Sequence, residues 1–151
     1  MIILKILKLI LFSISIIFSQ IEYQVRDKNP GLFKNQKLYH IPPNPFFKNR
    51  SHELHFITDI PSDSITDNSL FFKTNLMSYY QEIRLEEKSG SFKFLYDPNV
   101  YPGERVQYYF IIKTKDMFFG APINDEGELS PVDKLLIDPK QYFDQQKRLN
   151  K

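Results

Sequence analysis

What most constrains this chain is a succession of short segments in which apolar residues recur at every second position. In His52–Ile60, Leu54, Phe56, Thr58 and Ile60 share one side, while Glu53, His55 and Asp59 take the other. Ser69–Leu76 repeats the pattern, with Leu70, Phe72 and Thr74 against Phe71 and Lys73. Tyr79–Leu85 sets Tyr79, Ile83 and Leu85 opposite Tyr80, Glu82 and Arg84, and Phe92, Phe94 and Tyr96 alternate with Lys93 and Leu95. The longest run, Glu104–Thr114, aligns Val106, Tyr108, Phe110 and Ile112, and Asp133–Ile137 closes the series through Leu135 and Ile137. Side chains alternate across a strand, so each segment reads as a strand with one apolar face.

Turn residues separate these runs: Pro61-Ser62-Asp63-Ser64, Ser89-Gly90, Asp97-Pro98-Asn99 and Pro102-Gly103. No intervening segment is long enough for a crossover helix, so about seven strands must pair antiparallel, as a sandwich or barrel. A helix is expected only after the last strand. Asp138 can cap it, Pro139 suits its first turn, and Lys147, Arg148 and Lys151 suit its C-terminal end. Its apolar stripe is thin: Tyr142, Phe143 and Leu149.

The first residues belong to a different object. Met1–Phe18 holds 14 hydrophobic residues, interrupted by Lys5, Lys8, Ser13 and Ser15, and reads as a secretory signal cut after Ser19. An uncleaved anchor is the competing reading, although the uninterrupted apolar stretch from Leu9 is about ten residues, against roughly 20 for a bilayer span. No cysteine exists to carry a lipid. Removal of residues 1–19 takes Lys5 and Lys8 with it, and the formal charge of +2 becomes zero. The expected organisation is therefore a signal at 1–19, a leader at 20–38, a sandwich at 39–138 and a C-terminal helix or tail at 139–151. The product would be exported to a periplasmic, cell-surface or extracellular location, touching membrane only through the signal.

The span from Tyr39 to Ile137 resembles immunoglobulin-like, fibronectin-type-III-like domains of secreted bacterial proteins. His40-Ile41-Pro42-Pro43, Leu70-Phe71-Phe72-Lys73, Tyr80-Gln81-Glu82-Ile83 and above all Gly103-Glu104-Arg105-Val106-Gln107-Tyr108-Tyr109-Phe110-Ile111-Ile112 carry the resemblance. It implies an all-β, antiparallel immunoglobulin-like β-sandwich, used in that family as a spacer, binding or adhesion element, and brings no catalytic residues with it.

Chemistry is sparsely signalled. With no Cys, disulfides, thiolate zinc sites and a cysteine nucleophile are excluded. The near-neutral charge removes the electrostatic case for nucleic acid. His52-Glu53-Leu54-His55 has spacing three on a strand, which sends the two imidazoles to opposite faces rather than to one metal. Asn124-Asp125-Glu126-Gly127-Glu128 lacks the alternation of a calcium loop. Neither a nucleophile elbow nor a Gly-rich phosphate loop is present. No cofactor, no metal and no enzymatic activity are expected.

The aromatic surplus, 14 Phe and 9 Tyr, asks for an account. Phe56, Phe72, Phe92, Phe94, Tyr108 and Phe110 are expected inside, with the Tyr108 hydroxyl tying a neighbouring loop. Phe71, Tyr80, Tyr109, Phe118 and Phe119 are expected on outward faces or in loops, as candidate binding residues. The expected role is a non-enzymatic module that binds a protein or cell-envelope partner. The alternative is carbohydrate binding: Gln107–Ile112 and Asn124-Asp125-Glu126-Gly127 are also similar to glycogen-binding modules, although those use tryptophan and this chain has none.

Overall fold

The computed structural model describes residues 37–149; the signal and nearly all of the leader expected at 1–38 lie outside the described residues. Among these residues eight strands and one α-helix follow in order: β1 (Leu38–His40), β2 (His52–Thr58), β3 (Ile65–Thr74), β4 (Gln81–Ile83), β5 (Ser91–Tyr96), β6 (Arg105–Thr114), β7 (Phe118–Ala121), β8 (Val132–Leu135) and α1 (Pro139–Leu149), with a single 3-10 turn at Ser62–Ser64 between β2 and β3. They form two antiparallel sheets. The smaller has the order β1-β2-β5; the larger has the order β4-β3-β6-β7, with β8 also on β6.

Alternation decides what lies between the sheets. Leu54 and Phe56 of β2, Leu70 and Phe72 of β3, Phe92 and Tyr96 of β5, and Val106, Tyr108, Phe110 and Ile112 of β6 are all sealed from solvent in one cluster. The two sheets meet through rings: Phe56 stacks on Phe110 at 4.7 Å, Phe92 lies 5.0 Å from Phe110, and Phe72 lies 5.3 Å from Phe94. The expected inward faces of β2, β3, β5 and β6 are those observed.

Three segments depart from expectation. Tyr79 is not in a strand, and its ring is 77% exposed, because β4 is only three residues long. The last strand spans Val132–Leu135 and buries Val132 and, just beyond it, Leu136; Leu135 is 58% exposed. The expected parity there was shifted by one residue, since Lys134 interrupts the alternation that Val132 and Leu136 would otherwise show. Finally, Phe118–Ala121 is a strand rather than a loop. β7 pairs with Phe110–Lys113 and β8 with Arg105–Tyr108, so the two share one edge of β6 in succession.

Local chemistry fixes the connections. At Gly103 a Cβ atom would fall 2.7 Å from Thr74 Cβ and 2.9 Å from Asn75 Oδ1. That close approach lets Asn75 Oδ1 accept the backbone N–H groups of Glu104 and Arg105 at 2.8 and 3.1 Å, which starts β6 beside the end of β3. Gly90, at φ +74°, sits 2.8 Å (from its absent Cβ) under the Thr58 carbonyl, where no side chain fits. The helix begins as expected: Asp138 Oδ1 accepts the backbone N–H of Lys140 at 2.8 Å. Its rings Tyr142 and Phe143 pack on Phe47 at 5.5 and 5.8 Å.

Candidate functional site

Because the even-numbered residues of β6 point inward, Arg105, Gln107, Tyr109, Ile111 and Lys113 line the outer face of the large sheet. Phe71 of β3 stands opposite Tyr109, and Glu82 of β4 stands opposite Phe71. The Phe71 and Tyr109 rings stack at 4.9 Å with 15° between their planes. Tyr80, just before β4, closes on Tyr109 edge-on at 5.2 Å. The Lys73 ammonium sits 4.6 Å from the centre of the Tyr80 ring. Three of the five candidate aromatics therefore form one half-buried cluster at the middle of the face.

Polar groups rim this cluster and are already matched. Ser69 Oγ donates to Glu82 Oε1. Asp133 of β8 accepts from Gln107 Nε2 at 2.9 Å and pairs with Arg105 Nη1 at 3.1 Å.

The other two candidates are placed elsewhere. Phe118 shares the outer face but lies opposite Lys113, four residues or about 13 Å along β6 from Tyr109. Its ring is 39% exposed, with the Lys113 ammonium 5.6 Å from its centre. Phe119, expected at the surface, is buried at 6% exposure, opposite Ile112 on the core side. Strand β7 imposes this: consecutive residues must take opposite faces, so the pair cannot both be outward.

The histidines separate as their spacing requires. His52 points into the core, against Phe46 at 4.4 Å, and its Nε2 accepts the Phe47 backbone N–H at 2.9 Å. It is thus a buried residue. His55 points outward and reaches Ser91 Oγ at 2.6 Å, while Glu53 pairs with Lys93 at 2.9 Å. In the acidic loop, Asn124 Oδ1 accepts the backbone N–H groups of Glu126 and Glu128 at 3.1 and 2.8 Å, so its oxygen is spent on the turn. Among the described residues no three His, Asp or Glu groups converge as metal ligands.

One polar arrangement escaped the sequence reading. His40 Nδ1 lies 2.7 Å from the His55 carbonyl, and Nε2 lies 2.8 Å from the Tyr108 hydroxyl. A carbonyl only accepts, so Nδ1 carries the proton, Nε2 of the neutral ring accepts, and the Tyr108 O–H donates. Burial holds His40 below its ordinary 6.5, assisted by the charge of His55; the bond to the His55 carbonyl opposes the shift. Burial also pushes the Tyr108 phenol up. The hydroxyl therefore ties strand β1, not a loop as expected. The loop tie is made by Tyr96 instead: its hydroxyl donates to the Tyr101 carbonyl at 3.0 Å, and burial and then Asp97 push it up to about 12. The available signal was parity: Leu38 and His40 share a face, and Leu38 is buried.

No family model matches the sequence, and no curated protein matches it. Among solved structures, the endo-beta-1,4-mannanase from Thermotoga petrophila is similar over 69% of this chain, with 9% identity and a TM-score of 0.46. The chain spans about a fifth of that enzyme's length, the match covering 20% of it. A likeness at that level transfers neither activity nor substrate. Among the described residues no helix is long and apolar enough to cross a membrane.

Proposed function

We propose that this chain is an exported, non-enzymatic immunoglobulin-like sandwich whose outer aromatic cluster binds a protein partner of the cell envelope or extracellular space. Two features support the fold. The order β1-β2-β5 against β4-β3-β6-β7 corresponds to the A-B-E and C′-C-F-G strands of immunoglobulin-like and fibronectin-type-III-like domains. The motif Gly103–Ile112 leads into β6 and fills most of it, the strand in the penultimate position of that order if β7 and β8 are one interrupted strand. Export rests on Met1–Phe18.

The observation that carries the binding role is the cluster of Phe71, Tyr80 and Tyr109. A protein surface buries such rings for about 25 cal/mol per Å² of apolar area, before ordering costs are subtracted. The geometry favours a protein over a sugar. A sugar ring stacks on an open aromatic face, whereas Phe71 and Tyr109 turn one face each to the other, and Lys73 covers one face of Tyr80.

The test compares the wild-type protein with a Phe71→Ser/Tyr109→Ser variant. Capture of a discrete partner from envelope extracts by the wild type, lost in the variant, with no saturable binding on a glycan array, is the expected result. Saturable glycan binding lost in the variant replaces this reading with carbohydrate binding. Equal capture by both proteins removes the cluster from the site.

A further inference from the structure

Strand β1 is a short element at the edge of the smaller sheet. It has three residues and, among the described residues, pairs only with β2, through Leu38 opposite Thr58, Tyr39 opposite Ile57 and His40 opposite Phe56. Short edge strands are among the first elements to open. Leu38 is buried in the core, and His40 adds a polar tie across it: its ring stacks on Phe56 at 4.3 Å and bonds to both β2 and β6.

The bond to Tyr108 requires a neutral ring; the bond that Nδ1 donates to the His55 carbonyl holds in either state. A proton on Nε2 turns that atom from acceptor to donor, directly facing the Tyr108 hydroxyl. The hydroxyl can then only accept, and its own proton loses its partner among Phe46, Phe56 and the other core rings. The His55 carbonyl compensates in part, and no carboxylate bonds to the ring. From β2 the titratable group is His55, which is itself basic. From β6 it is Tyr108. Strand β7, Phe118-Phe119-Gly120-Ala121, carries none. The carboxylate nearest in sequence to β1's pairing, Asp59, is paired with Lys37 at 3.2 Å.

We infer that His40 is a proton-operated latch: taking up a proton releases β1 and uncovers the edge of β2, while the rest of the two sheets stays folded. The sign follows from linkage. Freed from the core, His40 titrates near 6.5, whereas in the closed state it resists the proton. The open form therefore binds more protons, and opening is favoured as pH falls below about 6.5. Each unit by which the closed state resists amounts to about a tenfold rise in the open population at low pH.

Amide hydrogen exchange of the intact protein, followed by mass spectrometry near pH 7.5 and near pH 5, reads this directly once each rate is divided by that of an unstructured peptide at the same pH. Protection of the 37–41 segment is expected to fall relative to that of Arg105–Thr114, with a midpoint that follows His40 in a proton NMR titration. Equal behaviour of the two segments, or no change in either, overturns the latch. His40→Gln, which does not titrate in this range, is expected to make β1 protection independent of pH; persistence of the acid-induced loss in that variant also overturns it. Should His40→Gln fail to fold, the wild-type comparison of β1 with β6 still decides.

Discussion

A single atom decides several features of this fold. Gly103 stands where even a methyl group would strike Thr74 Cβ at 2.7 Å, a neighbour that is itself buried and cannot retreat. Gly103→Ala is therefore expected to cost about 1–3 kcal/mol, read as a lower urea midpoint at unchanged slope. Tyr108→Phe is a subtler deletion. It leaves the ring in place and removes one proton donor, so His40 Nε2 loses its partner; about 1–2 kcal/mol of stability should go. Retention of full stability would mean that water replaces the hydroxyl. The glycine was visible in the chain as part of a motif, but its reason was not, because the clash is with a residue on another strand. The His40–Tyr108 bond was invisible for the same cause. Alternation says which side of a sheet a residue takes, not which of several strands will stand across from it, and these two are 68 positions apart.

Elements were legible in proportion to their length and regularity. The ten residues of β6 leave no doubt about parity, and β2 and β3 follow it. Strand β7 was hidden because Phe118-Phe119-Gly120-Ala121 is apolar without alternation and ends at Pro122, so local sequence cannot distinguish it from a loop. In β8 the charged Lys134 sits at a position that the alternation of Val132 and Leu136 reserves for an apolar residue, and the register slipped by one. The helix was legible because capping is local. Asp138, Pro139 and the basic Lys147 and Arg148 each act within a turn. Since α1 has no buried residue and rests on Phe47 through two rings, its stability depends on that cap more than a packed helix would. Asp138→Ala is expected to cost the helix about 1 kcal/mol and to lower the helical signal in far-UV circular dichroism, leaving the unfolding midpoint of the sheets nearly unchanged. A large drop in that midpoint would show that α1 is integral to the core.

At the scale of the whole molecule, the large sheet has two aromatic faces with different duties. Its inner face, through Tyr108, Phe110 and Phe119, holds the sheets together; its outer face gathers Phe71, Tyr80 and Tyr109. The outer cluster was legible as three outward residues, and their meeting was not, because Tyr80 lies outside any strand and reaches Tyr109 over the top of β3. Substitution separates the two duties. Phe119→Ala opens a cavity under β7 and should cost about 3–5 kcal/mol, enough to lower the unfolding midpoint steeply. Tyr109→Ser removes a half-buried ring whose stacking on Phe71 contributes about 0.5–1.5 kcal/mol beyond its area. Chemical denaturation of the two variants side by side should therefore find the second much closer to wild type, while partner capture is lost from it. Were Tyr109→Ser as destabilising as Phe119→Ala, the outer rings would be a second structural layer, and the binding face would have to be sought away from β3 and β6.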